Sequence, residues 1–260
     1  MPDATVQTPG EEIVVFERRG EIAELRVNAK PLLLAANLDA KEALVSRLNE
    51  VAADPGIKVL IMRNYTAKTG VEEYLEFHKL LLDPATDKLL LDKMLYSFDQ
   101  VILKLAQMPQ IVIHVDCGRV LGVFLSVSLA CDYRIVADDT WYQKGYHALN
   151  LIPKGGLAFF LTRLLGQARA SEVLFSEAEI PAENALSLGL VNRIAPKAEL
   201  MATAWREAER FARRPGFFLE GMKRLLAYDP RELKERLEWE NREIMHIRRL
   251  PQFAESLRKL

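Results

Sequence analysis

The chain has 260 residues, half of them hydrophobic and 27% charged, with a formal net charge of -1. This is the composition of a globular protein with one large domain or two small ones, and so small a net charge gives no footing for nucleic acid or a membrane surface. Cys117 and Cys131 sit in apolar surroundings and read as buried thiols rather than a disulfide framework.

The polar, acidic stretch Met1 to Glu12 lacks the basic start and apolar run of a signal peptide. Ile13 to Phe16 and Ile22 to Val27 are predicted strands, joined by a hairpin turn over Arg18-Arg19-Gly20-Glu21. Asp39 opens a helix, with Glu42 as a capping-box partner. Ala43, Leu44, Leu48, Val51 and Ala52 give it a buried stripe, and Asp54-Pro55-Gly56 stops it. Ile57 to Met62 is a buried strand, so the order strand, helix, strand makes one crossover of a parallel sheet.

Val71 to Leu82 and Lys88 to Ala106 carry helical patterns on either side of Asp83-Pro84. A second crossover ends in the strand Ile111 to Val115. Gly118 to Gly122 turns the chain into an apolar helix, Val123 to Ala130, and Arg134 to Ala137 is a further strand. Asp132 breaks the apolar run too soon for it to span a bilayer, and a cytoplasmic location is the default. From Gly156 onward the chain is mostly helical, punctuated by Pro181, Pro196, Pro215, Pro230 and Pro251. The pattern predicts an α/β core over residues 1–195 and a C-terminal helical region, 196–260, belonging to the same domain.

The segment Gly118-Arg119-Val120-Leu121-Gly122 precedes the apolar run to Ala130 and then Cys131-Asp132-Tyr133-Arg134-Ile135. Ile152-Pro153-Lys154-Gly155-Gly156, Leu161-Thr162-Arg163 and Ala185-Leu186-Ser187-Leu188-Gly189-Leu190-Val191 follow. In this frame the chain resembles the enoyl-CoA hydratase/isomerase (crotonase) family. The resemblance runs from Ile13 to Lys259 and is specific from Pro109 to Arg193. It implies a crotonase-like α/β spiral of ββα units with a C-terminal helical trimerisation region. It also implies an acyl-CoA thioester as ligand, no cofactor beyond the coenzyme A moiety, no metal, and a homotrimer or a dimer of trimers.

Chemistry at a thioester carbonyl places negative charge on its oxygen, and fixed backbone N–H donors stabilise that charge. A helix N-terminus supplies such donors. By the resemblance, Val123, next to Gly122, is the second donor of the oxyanion hole. The first lies in Lys68-Thr69-Gly70-Val71-Glu72-Glu73, where Val71 matches the donor, Gly70 precedes it, and Glu72 matches an aspartate. Without the resemblance, the Gly118–Gly122 turn is simply the tight entry to a core helix.

Hydratases of the family carry glutamates at two positions that here read Ser126 and Tyr146. A serine without an adjacent base is a poor proton acceptor, and a tyrosine with a pKa near ~10 donates or positions instead. Two-glutamate hydration is therefore not expected. The superfamily also contains decarboxylases, which stabilise an enolate without a strong base. In that reading Tyr146, His147 and Lys154 do the work; Lys154 either holds a substrate carboxylate or is solvated. The family's dehalogenases need an aspartate nucleophile where Lys154 stands, which excludes them.

His114 and Asp116 form a strand pair that is either catalytic or, as favoured, structural. Glu72, Glu73, Glu76 and His78 at helical spacing invite a metal, but a solvated helix face is the commoner explanation. The resemblance puts the adenine near the residues after Lys30-Pro31 and makes Lys223 a phosphate partner, or else a surface charge. Ile244, Ile247, Leu250 and Phe253 in the amphipathic tail pack on the chain's own core or on a neighbour.

The expected function is an acyl-CoA enzyme of lyase, hydratase or isomerase type that stabilises a thioester enolate. Val123 and Val71 supply donors, Tyr146 orients the substrate or delivers a proton, and Ser126 lines the acyl pocket. The alternatives are a binding protein without turnover, or a hydratase with relocated acids such as Glu72 or Glu73.

Overall fold

The computed structural model describes residues 14–27, 38–63, 70–80 and 89–258. Ile13, the stretch Met1 to Glu12, the residues after Lys30-Pro31 up to Asn37, Lys68, Thr69, Asp83-Pro84 and Lys88 lie outside the described residues, as does the side chain of Glu73.

Strand β1 (Val14–Arg19) pairs antiparallel with β2 (Ile22–Val27), with Arg19 opposite Ile22. The turn is therefore Gly20-Glu21 alone, and Arg18 and Arg19 belong to the strand rather than to the predicted turn. Gly20 takes φ 61, as a two-residue hairpin requires. Helix α1 (Leu38–Ala53) buries Ala40, Leu44, Leu48 and Val51; Ala43, expected inside, is exposed. The chain then returns as β3 (Val59–Arg63), parallel to β2.

Helices α2 (Val71–Leu80) and α3 (Leu90–Gln107) precede β4 (Ile111–Asp116). Within the predicted turn lies a short strand, β5 (Arg119–Leu121), which feeds α4 (Gly122–Leu129). Strands β6 (Tyr133–Ala137) and β7 (Trp141–Gln143) follow, then α5 (Leu157–Phe175), broken at Gly166. After β8 (Ile180–Pro181), α6 (Ala182–Ser187) and β9 (Arg193–Ala195) come α7 (Leu200–Ala212), α8 (Gly216–Leu226), α9 (Pro230–Arg248) and α10 (Pro251–Arg258).

The main sheet has the order β1-β2-β3-β4-β6-β9, parallel from β2 onward. Its inner strands β2, β3, β4 and β6 are buried on both faces, which is why β3 reads as a continuous apolar run. Leu25, Leu60, Met62, Val112 and Val136 face the core shared with α1, α3 and α4. Ile61, Ile113 and Ile135 face Ala204, Ala208 and Leu219 of α7 and α8. A second sheet, β5-β7-β8, carries the turn into α4.

Asp229 caps α9, its side chain accepting from the Arg231 N–H, with Pro230 in the first turn. Helix α9 packs against α3, and Leu233, Leu237, Ile244, Phe253 and Leu257 join the core of α3 and α4. The tail thus packs on the chain's own body. Leu250, expected in that packing, is exposed. Among the described residues no helix is long and apolar enough to cross a membrane.

Candidate active site

Leu121 ends β5 in an extended conformation and α4 begins at Gly122 with no side-chain cap. The N–H groups of its first turn have no partner inside the helix, and every residue of α4 is buried. Val123, only 8% exposed, lines a cavity of about 20 Å³ together with Tyr74, His78, Phe98, Lys154 and Ile244. That space holds about one water molecule.

Val71 is the first residue of α2 and follows Gly70 at φ 47. Its N–H donates to Gln143 Oε1 at 3.2 Å, and Gln143 Nε2 donates to Glu179 Oε1 at 2.6 Å. The φ of Gly70 favours glycine, and a Cβ there would lie 1.8 Å from Gln143 Oε1, so any larger residue would also displace the Gln143 side chain. Gln143 was not a candidate in the sequence.

Glu72 and Glu76 are exposed, as a solvated helix face predicts, but His78 is not. It is 2% exposed, with its ring against those of Tyr74, Phe77 and Phe253. Four residues after Tyr74 and seven after Val71, it belongs to the inner face of α2. Burial, helped by the positive charge of Arg248, lowers its pKa to about 3, so the imidazole is neutral. Its Nδ1 is buried and has no hydrogen-bond partner among the described residues.

Ser126 is wholly buried and its hydroxyl donates to the Lys154 carbonyl at 2.9 Å. A Cβ on Gly155 would stand 2.9 Å from the Ser126 Cβ, so the 154–155 backbone lies directly on this residue. The wall of the cavity at Val123 is built by Lys154 and not by Ser126. Tyr146 donates its hydroxyl to the Leu174 carbonyl at 3.0 Å, and His147 Nε2 lies 2.9 Å from the same oxygen. Burial pushes the Tyr146 phenol well above its ordinary range, so it keeps its proton. Its ring edge is 3.9 Å from where a Gly122 Cβ would be. Tyr146 and His147 line a second cavity of about 750 Å³ with Arg163, Trp239 and Glu240; Leu151 and Ile152 wall both cavities.

Lys154 is neither solvated nor free to hold a substrate carboxylate: it is buried and paired with Asp99 and with Glu240, the latter at 3.4 Å. Asn241 Nδ2 donates to the other Asp99 oxygen at 2.6 Å. Glu240 accepts from the Gly155 N–H at 2.5 Å and from the Gly156 N–H at 3.0 Å. Its burial raises the carboxyl pKa to about 7 against the pull of Lys154 and those two N–H groups. In the sequence Glu240 is one acid among many on a charged helix, with no signal of its burial.

His114 Nδ1 lies 3.2 Å from Asp116 Oδ2, and Tyr142 donates to the same oxygen at 3.3 Å. All three are buried beneath the sheet's α4 side. Lys223 donates to Asp132 Oδ2 at 2.6 Å and to the Gln110 carbonyl at 2.8 Å, so it is no loose surface charge. It lines a third cavity, of about 860 Å³, apart from the one at Val123.

Stacked crossover units, a helix N-terminus aimed from a small second sheet, and a helical tail over the site define an α/β protein of the crotonase fold. The family model that matches is Enoyl-CoA hydratase/isomerase, over residues 44–256, and the chain belongs to that family. The short-chain-enoyl-CoA hydratase of Clostridium acetobutylicum is 26% identical over 196 residues, covering 74% of this chain and 72% of that protein. The crotonyl-CoA hydratase of Syntrophomonas wolfei subsp. wolfei is 25% identical over 202 residues, covering 76% and 75%. The crystal structure of an enoyl-CoA hydratase from Bacillus halodurans has a TM-score of 0.82 at 20% identity, covering 96% of this chain and all of that one.

Proposed function

We propose that this chain is an acyl-CoA enzyme that stabilises the enolate of a thioester with the backbone N–H of Val123, the coenzyme A moiety of the substrate being its only cofactor-like group. The observation that carries the reading is the uncapped start of α4 beside a small, largely apolar cavity. Helix N-terminal donors in a dry site favour an oxyanion strongly. Family membership supports the coenzyme A thioester as ligand. Tyr146, protonated and against Gly122, positions the thioester or delivers a proton. Decarboxylation would rest on Tyr146 and His147, since Lys154 is engaged by Asp99 and Glu240. Glu72 stands on the exposed face of α2, so a hydratase with relocated acids would draw on Glu240 instead.

A specific observation favours a second reading, acyl-CoA binding without turnover: Gln143 occupies the Val71 N–H and Lys154 occupies Ser126. We extend the first reading to a cytoplasmic homotrimer or dimer of trimers, consistent with the exposed Phe217, Leu225 and Leu226 of α8.

The test is Val123→Pro, which removes the N–H in the first helical turn, where proline is tolerated. Turnover should fall by about 10²–10³ with little change in melting temperature. Unchanged turnover would remove Val123 from the mechanism.

A further inference from the structure

The cavity of about 860 Å³ lies at the C-terminal end of α4, between that helix, the end of α7 and one side of α8. Small-molecule sites span roughly 300–1,000 Å³, so it is of ligand size. Its lining includes Leu164, Phe218, Met222 and Leu226, which stand between 44% and 81% exposed. Large apolar side chains gathered around one recess mark a surface that something covers. Phe218, Met222 and Leu226 are spaced four residues apart on α8, so they form a single stripe about 12 Å long. The lining holds four cations, Arg210, Arg213, Arg214 and Lys223, and one acid, Asp132. Lys223 takes Asp132 at 2.6 Å, and Arg210 is engaged by Glu207 at 2.7 Å. Arg213 and Arg214 therefore leave the recess positive. The Arg214 guanidinium lies 6.0 Å from the Phe218 ring centre, which puts this charge at the head of the apolar stripe.

We propose that this recess binds a single-chain aliphatic carboxylate, with its head group at Arg213 and Arg214 and its chain along Phe218, Met222 and Leu226. The site is apart from the cavity at Val123 and does not depend on the acyl-CoA reading. The head group follows from charge and shape, because the planar guanidinium fork matches a carboxylate. The body follows from the stripe, which is apolar and one side chain wide, as an extended hydrocarbon chain is. Each methylene laid on it leaves water and adds affinity. Phe217 and Leu225, also exposed on α8, are not part of the lining, so a neighbouring copy can rest on them without entering the recess.

Titration calorimetry of the full chain with decanoate, octanoate, decanol and decyltrimethylammonium, repeated in excess coenzyme A, tests this. Decanoate should bind about tenfold more tightly than octanoate, which is shorter by a pair of methylenes. It should bind about five- to tenfold more tightly than decanol, with the ammonium weakest. Coenzyme A should leave these affinities unchanged. Arg213→Glu combined with Arg214→Glu should put the ammonium ahead of decanoate, and Met222→Trp, which fills the recess, should weaken all of the ligands. These variants alter exposed side chains, so the fold should tolerate them. Failure of decanoate to bind would overturn the proposal, as would affinities indifferent to head-group charge, binding that survives the variants, or displacement by coenzyme A. Sedimentation velocity on the same samples identifies the rival occupant: an assembly that takes up no decanoate and that Met222→Trp breaks apart would give the recess to a second copy of the chain and overturn the proposal.

Discussion

The side-chain oxygen of Gln143 accepts the N–H of Val71 at 3.2 Å, across 72 positions of sequence. The donor that the family resemblance assigns to the first half of the oxyanion hole is thus occupied by the chain itself. A thioester oxygen can reach it only if Gln143 turns away, which costs one hydrogen bond. Gln143→Ala should therefore tighten acyl-CoA binding by about two- to tenfold, the worth of one ordinary hydrogen bond. Calorimetry on the variant checks this, and an unchanged affinity would mean that Val71 takes no part in binding.

Glu240 makes stability depend on pH with a definite sign. Its folded pKa, about 7, lies above the ordinary 4.5, so between those values the folded chain holds a proton that the unfolded chain has released. The contribution is fully present below about pH 4.5 and is lost as the pH rises through about 7. Relative to Glu240→Gln, the unaltered protein should lose on the order of a few kcal/mol of unfolding free energy between about pH 5 and about pH 8. Urea unfolding at the two pH values would show parallel behaviour if Glu240 were an ordinary surface acid.

His78 acts in the opposite sense. Its folded pKa, about 3, is below the ordinary 6.5, so its contribution is present above about pH 6.5 and is lost as the pH falls toward 3. His78→Leu should flatten the acid side of the stability profile and, by removing an unpartnered buried nitrogen, stabilise the fold at neutral pH by about 1 kcal/mol. Acid unfolding followed by circular dichroism separates the variant from the parent; coincident curves would place His78 in solvent.

Lys223 is tied to Asp132 Oδ2, which also accepts the Val112 N–H of β4 at 2.8 Å. The lysine therefore pins α8 to the central sheet. Lys223→Met should cost about 1–3 kcal/mol of stability and leave coenzyme A affinity within about twofold. A selective loss of coenzyme A binding in calorimetry would restore the phosphate role instead.

The crossover strands and α4 were legible because they depend on local pattern: the apolar runs from Val59 to Met62 and from Val123 to Ala130 can only be buried. Gly118 to Gly122 marked the entry to α4, although β5 hides inside it, because three residues are too few to show a period. The site's polar wiring was not legible. Gln143 reaches Val71, and Asn241 reaches Asp99, over separations that leave no trace in spacing. His78 and Glu240 sit among charged neighbours on helices whose inner faces only packing reveals; grouping His78 with Glu72, Glu73 and Glu76 placed it on the solvated face of α2. Lys154 read as either a holder of a substrate carboxylate or a solvated cation, because its actual partners come from α3 and α9, far away along the chain.

The most direct test of an enolate-stabilising acyl-CoA site is a mass-spectrometric turnover screen of the purified chain against enoyl, dienoyl, malonyl-type and β-keto CoA thioesters, with binding read in parallel. The proposed function predicts turnover of at least one of them, slowed by about tenfold or more in Tyr146→Phe. Tight binding of the thioesters with no product across the panel would contradict catalysis and leave a protein that holds acyl-CoA without transforming it.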